Sequence, residues 1–252
     1  LHIVGGLHPE LGLDFYVDMI SSIHKRFPEV HLQAFTAVEI SHFAEISGIS
    51  TYETLKKLKD AGLGSLPGGG AEVFATEIRE ELCPEKLSGE EWLNTMRIAH
   101  NLGLKSNATM LYGHIEQDKD RINHLLKLRE LQDETGGFMT FIPLAFHPKN
   151  TDMKNISSTA GILDLKMLAI GRLMLDNFDH IKAFWIMLGI KISQISLSFG
   201  VDDIDGTVAE EKITHSAGAE TPEALTVNEI RSLIEETGRE PVERDTLYNR
   251  IN

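Results

Sequence analysis

Residues 105–145 read KSNATMLYGHIEQDKDRINHLLKLRELQDETGGFMTFIPLA and contain one complete strand–helix–strand repeat. Lys105–Tyr112 is a mostly apolar run of strand length, Lys119–Thr135 has the length and composition of a helix, and Met139–Ala145 is a second apolar run. Consecutive strands that are joined through a helix are parallel, because the crossover returns the chain to the same end of the sheet. This stretch therefore predicts a parallel sheet that is covered by helices.

The same alternation of short apolar runs and longer helical patterns continues through most of the chain. Further strands are predicted at Leu1–Gly6, His31–Ala37, Gly64–Leu66, Ile181–Phe184 and Gln194–Ser198. Further helices are predicted at Leu13–Phe27, Thr51–Ala61, Glu77–Leu82, Glu90–Leu102, Ile162–Asn177 and Pro222–Thr237.

These elements predict an α/β fold. Strands of this βα type indicate a (β/α)8-type, TIM-like barrel over residues 1–199 that lacks its first strand. Residues 200–252 are more polar and predict a largely helical C-terminal extension that caps the barrel. An open doubly wound sheet is the alternative that the same strand count allows.

Composition limits the classes of partner. Hydrophobic residues make up 42% of the chain, which is enough for a sizeable core. With 24 Lys and Arg against 38 Asp and Glu, the formal charge of −14 disfavours binding to nucleic acid. No apolar run approaches the roughly 18 residues of a membrane span, so we expect a cytoplasmic protein that binds no membrane. Cys83 is the single cysteine, which excludes a disulfide framework and an all-cysteine metal site within this sequence.

Glycines follow two of the predicted strands, at the ends where parallel barrels carry their functional groups. Gly5 and Gly6 end the first strand, and glycine lets a backbone approach a ligand closely, although the pair is also typical of a simple turn. Gly68–Gly70 follows the third strand and lacks the Lys-Ser/Thr of a phosphate loop. Three glycines there suit a strand end that bends around a bulky group.

Polar side chains occupy the same strand ends. Glu39 and Glu72 follow the second and third strands, and a carboxylate accepts hydrogen bonds from ribose hydroxyls or from an ammonium group. Asn107 lies inside an apolar strand and needs either a partner or a ligand. His114 and Glu116 lie just beyond that strand and suit a hydrogen-bonded pair beside a cofactor better than a metal pair. For Glu39 and Glu72 a solvated loop acid is the alternative.

Histidines also end strands. His8 and His147 follow predicted strands and are candidates for binding a carboxylated ligand, with an ordinary loop histidine as the alternative for each. His147 is the candidate catalytic residue. Cys83 precedes Pro84 at a helix end, and we interpret it as a buried residue without a catalytic role.

Taken together, seven segments carry a family resemblance. They are Ile3–Pro9, Leu66–Glu72, Ser106–Glu116, Phe141–Pro148, Val201–Val208, Lys212–Ala219 and Arg239–Tyr248. In these segments the chain resembles the radical S-adenosylmethionine (SAM) enzymes of the futalosine (menaquinone) and deazaflavin pathways, and within them the aminofutalosine synthases. Val201–Val208 favours that group over its sister, the dehypoxanthine futalosine cyclases, and over the deazaflavin-cofactor synthases. Those two enzymes and a binding protein without a cluster are the alternatives.

The resemblance implies a four-iron four-sulfur (4Fe-4S) cluster that reduces SAM to a 5′-deoxyadenosyl radical. In the family this radical adds to the vinyl carbon of 3-[(1-carboxyvinyl)oxy]benzoate, and loss of a carboxyl group gives aminodeoxyfutalosine. The implied partners are this small-molecule substrate and an electron donor such as flavodoxin or ferredoxin, and a homodimer is compatible with the resemblance.

The resemblance also implies roles for individual residues. Gly5 and Gly6 match the family's segment for the methionine amino group of SAM. The resemblance and the positions at strand ends together assign seven residues to cofactor binding. They are Gly5, Gly6, Glu39, Glu72, Asn107, His114 and Glu116. The residues assigned to the substrate are His8, His147 and Arg244. The site residues from separate strands are expected to line one cleft.

The cluster-binding Cys-x₃-Cys-x₂-Cys motif of the family is absent from this sequence and is expected upstream of Leu1. We predict that anaerobic reconstitution of residues 1–252 with iron and sulfide yields no 4Fe-4S cluster, because Cys83 alone cannot replace three thiolate ligands. Iron analysis and electron paramagnetic resonance of the reduced protein test this. About four irons per chain with the spectrum of a reduced cluster would contradict it.

Overall fold

The computed structural model describes residues 1–208, 216, 221–222 and 224–251. The segment Lys212–Ala219, one of those that carry the resemblance, lies outside the described residues except for Ser216. Within the described part of the chain, no helix is both long enough and apolar enough to cross a membrane.

One sheet of seven strands organises the described residues, in the order β1 to β7 along the chain. The strands are β1 (His2–Ile3), β2 (Gln33–Ala34), β3 (Ser65–Leu66), β4 (Lys105–Tyr112), β5 (Phe138–Ala145), β6 (His180–Ala183) and β7 (Asp203–Ile204). They run parallel, with Lys182 of β6 opposite Asp203 of β7. A sequential order of parallel strands is that of a (β/α) barrel, whereas a doubly wound sheet reverses its order partway. The predicted α/β, TIM-like fold class is therefore confirmed.

Helices connect these strands, and the last helix follows β7. They are α1 (Leu13–Arg26), α2 (Ala37–Ser47), α3 (Thr51–Ala61), α4 (Thr76–Leu82), α5 (Gly89–Asn101), α6 (Asp118–Thr135), α7 (Gly161–Met174), α8 (Trp185–Leu188), α9 (Ile190–Ser196) and α10 (Val227–Glu235). Four of them begin with a capping box, in which a Ser or Thr and a Glu three residues later satisfy each other's free backbone N–H groups. These boxes open α2, α3, α5 and α10.

The first two strands are shorter than the sequence predicts. β1 covers two residues of the predicted Leu1–Gly6, and β2 covers two of the predicted His31–Ala37. The second strand ends early because Thr36 and Glu39 form a capping box that starts α2 at Ala37, a helix that the prediction missed. By contrast, the predicted bounds of Thr51–Ala61 and Lys105–Tyr112 are confirmed.

The predicted strand Gln194–Ser198 is wrong. Residues Ile190–Ser196 form α9, which starts after Gly189, and the seventh strand is Asp203–Ile204. Its serine hydroxyls bind carbonyls within the helix or just before it, since Ser193 Oγ donates to the Gly189 carbonyl and Ser196 Oγ to the Ser193 carbonyl. Apolar and polar residues alternate too briefly here for the period to separate a strand from a helix.

The chain divides into two compact units. The first consists of Leu1–Ala108 and Glu130–Met139, and the second of Thr109–Arg129 and Thr140–Asn252. The chain passes between the two units within β4, α6 and β5. The domain boundary that we placed between residues 199 and 200 stays a prediction.

Each unit has its own apolar packing. In the first, Tyr16 stacks on Phe43 with ring centroids 3.9 Å apart, and Phe35 meets Phe43 edge to face at 5.2 Å. All three rings are buried between α1, α2 and the end of β2. In the second, Trp185 and Ile186 of α8 are buried against Leu225. Burial of each such aromatic or aliphatic side chain contributes roughly 1.5–3 kcal/mol.

A buried histidine closes the first unit where α5 packs beside β4 and β5. His100 is 8% exposed, with Nδ1 2.7 Å from Thr135 Oγ1 and Nε2 2.9 Å from Ser106 Oγ. Phe138 meets its ring edge to face at 4.7 Å. Burial, together with the nearby charge of Lys105, lowers the pKa of His100 to about 4. The imidazole is therefore neutral in the folded protein at physiological pH.

We predict that this histidine makes the protein less stable in mild acid. Below its ordinary pKa of 6.5 the unfolded chain binds a proton at His100, whereas the folded chain does so only near pH 4. Since the unfolded state binds more protons, stability falls with falling pH, by about 2 kcal/mol between pH 7 and pH 5. Denaturant unfolding of His100→Gln and of the exposed control His24→Gln measures it. An unchanged pH slope in His100→Gln would contradict the assignment.

Candidate functional site

Glu39 fixes the peptide at the end of β1. Its Oε1 accepts a hydrogen bond of 2.9 Å from the backbone N–H of Gly5, while Oε2 accepts from the N–H and hydroxyl of Thr36 at 2.8 and 2.9 Å. The side chain is buried, and burial raises the pKa of Glu39 against the lowering effect of the hydrogen bonds from Thr36 and Gly5. Glu39 thus binds main chain and positions Gly5, while Gly6 beside it is exposed.

Glu72 ends the glycine-rich turn after β3 in a strained backbone conformation. Its φ is 44°, a left-handed value that costs a residue with a Cβ roughly 1–2 kcal/mol. Its Oε1 lies 2.8 Å from Nζ of Lys86, and the Glu72 side chain is 15% exposed. Strain of this kind persists only where the surroundings enforce it, and it is common at binding sites.

A buried arginine supplies that enforcement. The guanidinium of Arg79 donates to the carbonyls of Gly70, Ala71 and Val73 at 3.2, 2.5 and 3.3 Å, and also to that of Leu87. Trp92 Nε1 donates to the Gly69 carbonyl at 3.1 Å. The turn is therefore held through its main chain from two sides.

Asn107 is a buried polar residue in the middle of β4. It is 8% exposed, and its amide makes no hydrogen bond to the described part of the chain. Its amide atoms are not among the fully buried side-chain N and O atoms that lack a partner, so solvent reaches them and a bound ligand would replace that solvent. The role of Asn107 in ligand binding stays a prediction.

Glu116 organises the turn after β4. Its carboxylate accepts from the backbone N–H of Gly113 and of His114 at 2.6 and 2.8 Å, and lies 3.0 Å from His114 Nδ1. Arg121 of α6 pairs with it at 2.7 Å. Burial opposes ionisation, but the hydrogen bonds from His114 and Gly113 outweigh it and lower the pKa of Glu116 to about 2. Glu116 thus binds the backbone N–H of His114, whereas His114 Nδ1 makes no hydrogen bond, because Nε2 carries the proton towards the Leu111 carbonyl. Both side chains are fully buried.

The two candidate substrate histidines lie in loops. His147 follows β5, and its Nε2 lies 3.0 Å from the Met187 carbonyl. Since a carbonyl only accepts, Nε2 carries the proton there, and Nδ1 binds a carboxylate only in the charged imidazolium. His8 is exposed, and its Nδ1 accepts from the backbone N–H of Glu10 and Leu11 at 3.1 and 3.2 Å.

Arg244 anchors the C-terminal segment to β7. Its Nε and Nη2 donate to the two carboxylate oxygens of Asp203 at 3.0 and 2.7 Å, and its guanidinium lies 4.1 Å from the ring of Tyr248. The Tyr248 hydroxyl donates to Asp203 at 2.7 Å, and its ring stacks on His180 of β6 at 4.0 Å. Burial and the charge of Asp203 raise the pKa of Tyr248. A substrate carboxylate would compete with Asp203 for Arg244.

Two sequence families cover nearly the whole chain. The model of the Radical SAM superfamily matches residues 1–128, and that of the CofH/MqnC C-terminal region matches residues 135–252. The chain belongs to the radical SAM superfamily of enzymes, whose members use SAM and a 4Fe-4S cluster.

Relatives with named activities show which radical SAM enzymes this chain is similar to. The chain is 48% identical to the aminodeoxyfutalosine synthase of Thermus thermophilus over 100% of the chain and 68% of the relative. It is 46% identical to that of Streptomyces coelicolor, over 98% and 67%. The 5-amino-6-(D-ribitylamino)uracil–L-tyrosine 4-hydroxyphenyl transferase of Methanococcoides burtonii is 41% identical, over 99% and 72%. The chain thus spans about two thirds of the length of the synthases it matches.

The fold has a solved counterpart. Methylornithine synthase superposes with a TM-score of 0.68 over 96% of this chain and 68% of that protein, at 16% sequence identity. At this identity the likeness concerns the fold alone.

The residues present do not fit a 4Fe-4S cluster. Cys83 is the single cysteine, it is buried, and burial raises the pKa of its thiol. Among the described residues, no group of three or more His, Cys, Asp or Glu side chains is arranged to hold a metal ion. The residues do suit a polar organic ligand such as SAM, because the amide of the mostly buried Asn107 makes no hydrogen bond within the described part of the chain.

Sequence reasoning missed the residues that hold the predicted ones in place. The capping box of Thr36 and Glu39 was visible as Thr-x-x-Glu and would have revealed the role of Glu39. No sequence pattern marks Arg79, Lys86 and Arg121, because the partner of each lies in a loop and loop residues follow no regular period.

We predict that Glu116→Gln destabilises the protein by about 3 kcal/mol, because it removes the charge of a buried carboxylate and leaves Arg121 paired with the exposed Asp118 instead. Urea unfolding at pH 7 measures this, with the exposed Glu130→Gln on α6 as the control. Since the carboxylate has a lowered pKa, its contribution is present above pH 4.5 and is lost as the pH falls towards 2. A change below 1 kcal/mol, the usual value for a surface pair, would contradict the buried role.

Proposed function

We propose that the enzyme to which this chain belongs is an aminodeoxyfutalosine synthase. In the reaction proposed, one-electron reduction breaks the S–C5′ bond of SAM and releases methionine, and the 5′-deoxyadenosyl group forms a carbon–carbon bond with the vinyl carbon of 3-[(1-carboxyvinyl)oxy]benzoate. Rearrangement, loss of the carboxyl group as CO2 and return of the electron then give aminodeoxyfutalosine for menaquinone biosynthesis. The observation that carries the proposal is the 48% identity to the Thermus thermophilus synthase along the whole chain.

The contacts of three residues support a role in binding SAM. Glu39 holds the Gly5 peptide at the end of β1, where the family binds the methionine amino group. Glu72 is charge-balanced by Lys86, and its carboxylate suits a ribose hydroxyl or the methionine ammonium. The Asn107 amide both donates and accepts hydrogen bonds, which suits the adenine ring.

The turn from Gly113 to Glu116 supports the same role indirectly. The Glu116 carboxylate is occupied by the backbone N–H groups of Gly113 and His114 and by Arg121, so it holds the turn rather than touching SAM. We propose that this turn lies along the adenosine and that Glu116 acts by fixing its backbone.

For the substrate, the charged imidazolium of His147 is the proposed partner of one carboxylate, with its Nε2 held by the Met187 carbonyl. His8 and Arg244 are weaker candidates, because His8 already binds two backbone N–H groups and Arg244 binds Asp203. The remaining proposed partners are an electron donor such as flavodoxin or ferredoxin and a second copy of the chain in a homodimer.

The 4-hydroxyphenyl transferase activity of the archaeal relatives is the second candidate, because several of them are 41–44% identical to this chain. The residues Val201–Val208 favour the synthase. Within this block Asp203 binds Arg244 and Tyr248, so the block fixes the C-terminal segment beside β6 and β7.

We predict that the complete gene product, purified anaerobically with its cluster, converts SAM and 3-[(1-carboxyvinyl)oxy]benzoate to aminodeoxyfutalosine when a reductant is added. Mass spectrometry of the products measures this. In a parallel reaction the enzyme receives 5-amino-6-(D-ribitylamino)uracil and L-tyrosine in place of the enol ether. Product from the second pair alone would favour the transferase, and product from neither would overturn both.

A variant pair connects this activity to the site. Asn107→Leu removes the amide at nearly constant volume and should weaken SAM binding about tenfold, the cost of one lost hydrogen bond to a buried ligand. The exposed Asn101→Leu, at the end of α5, should leave SAM binding unchanged. Equal effects of the two variants would place SAM away from β4.

A further inference from the structure

We propose that Arg79 is a positioning residue for SAM, which sets the main chain that presents Glu72. The proposal rests on the proposed function in one respect, namely that Glu72 binds SAM. Arg79 itself touches neither the Glu72 carboxylate nor a ligand in this assignment, and it acts through the turn between β3 and α4.

Arg79 binds backbone carbonyls on both sides of Glu72 in the sequence. Its guanidinium binds the carbonyls of Gly70 and Ala71 before Glu72 and that of Val73 after it. The fourth acceptor is the carbonyl of Leu87, next to Lys86, the ion-pair partner of Glu72. One side chain therefore ties together the backbone on both sides of Glu72 and the segment that supplies its counter-ion.

Arg79 is a buried cation whose guanidinium binds main-chain carbonyls instead of a carboxylate. The residue is 4% exposed, and no carboxylate in the described part of the chain forms an ion pair with it. Its Nε is buried without a hydrogen-bond partner. Burying a guanidinium is costly unless its N–H groups are paired, and here they pair with carbonyls that an apolar side chain would leave without this donor. Arg79 therefore holds these carbonyls in one geometry.

The turn is also tightly packed against the start of α2. A Cβ on Gly69 would lie 2.7 Å from Thr36 Cγ2, and one on Gly70 would lie 2.6 Å from Val38 Cγ2. Thr36 is the residue that, with Gly5, binds Glu39. The peptide at the end of β1 and the Glu72 turn are thus connected through direct contacts within the first unit.

Lysine is the discriminating replacement at position 79. It keeps the positive charge and most of the volume, but a single ammonium cannot reproduce the planar fork that binds several carbonyls at once. In the holoenzyme, Arg79→Lys should weaken SAM binding about tenfold, measured by equilibrium dialysis with labelled SAM, as Glu72 loses its fixed position. The affinity for the enol ether should change less than about twofold.

A double-mutant cycle separates positioning from general destabilisation. If Arg79 acts through Glu72, the effect of Arg79→Lys on SAM affinity should largely disappear in a Glu72→Gln background. Hydrogen exchange should increase in the peptide that covers Gly68–Phe74, without a comparable increase in α1. Arg97→Lys, which alters an exposed guanidinium paired with Glu134, is the matched control and should change neither measurement.

Trp92→Phe gives a second, milder perturbation in case Arg79→Lys does not fold. It removes the N–H that binds the Gly69 carbonyl and leaves a smaller aromatic ring near Phe74 and Phe138, so SAM binding should weaken in the same Glu72-dependent way. Unchanged SAM affinity in these variants, or an equal loss in both backgrounds, would overturn the proposal. Failure of the proposed function is recognised separately, as a parent enzyme that binds SAM but forms no aminodeoxyfutalosine.

Discussion

Where a parallel strand ends, backbone N–H and C=O groups of the following turn have no partner in the sheet. In this protein, buried charged side chains bind these groups. Glu39 accepts from Gly5 after β1, Arg79 donates to the turn after β3, and Glu116 accepts from Gly113 and His114 after β4. Because an unpaired buried peptide group costs as much as a lost hydrogen bond, the conformation of the turns after these strands depends on these contacts. The candidate site is built on the main chain that they fix.

This arrangement separates the residues that shape the site from those available to a ligand. Glu39 and Glu116, although predicted to bind the cofactor, have their oxygens occupied by main-chain N–H groups. Asn107 has an amide that makes no hydrogen bond in the described chain, and Glu72 has one carboxylate oxygen paired with Lys86. A site whose backbone is fixed in advance loses less entropy when a ligand binds. Rigid turns at the strand ends therefore favour tight and specific recognition of a flexible ligand such as SAM.

The sequence predicts the parts of this structure that local patterns determine. The helix Thr51–Ala61 and the strand Lys105–Tyr112 have clear caps or apolar runs, and the strand order follows from their alternation. Gln194–Ser198 was wrong because five residues do not establish a period. Arg79 looked like an ordinary charged residue of a short helix, since the carbonyls that it binds lie in a loop whose path no propensity specifies. The same limit applies to every contact that joins a side chain to a distant turn.

The attachment of the C-terminal segment has a consequence for the order of events during synthesis. Asp203 of β7 receives its bidentate partner Arg244 from 41 residues further along the chain, and the ring that covers His180 belongs to Tyr248. When β7 leaves the ribosome, Lys182 is the cation already available to Asp203, and its Nζ lies 3.6 Å from the carboxylate in the folded protein. The last strand of the sheet therefore acquires its full set of contacts only after Tyr248 has emerged, so a nascent chain stalled before that residue would carry a poorly protected β6–β7 edge.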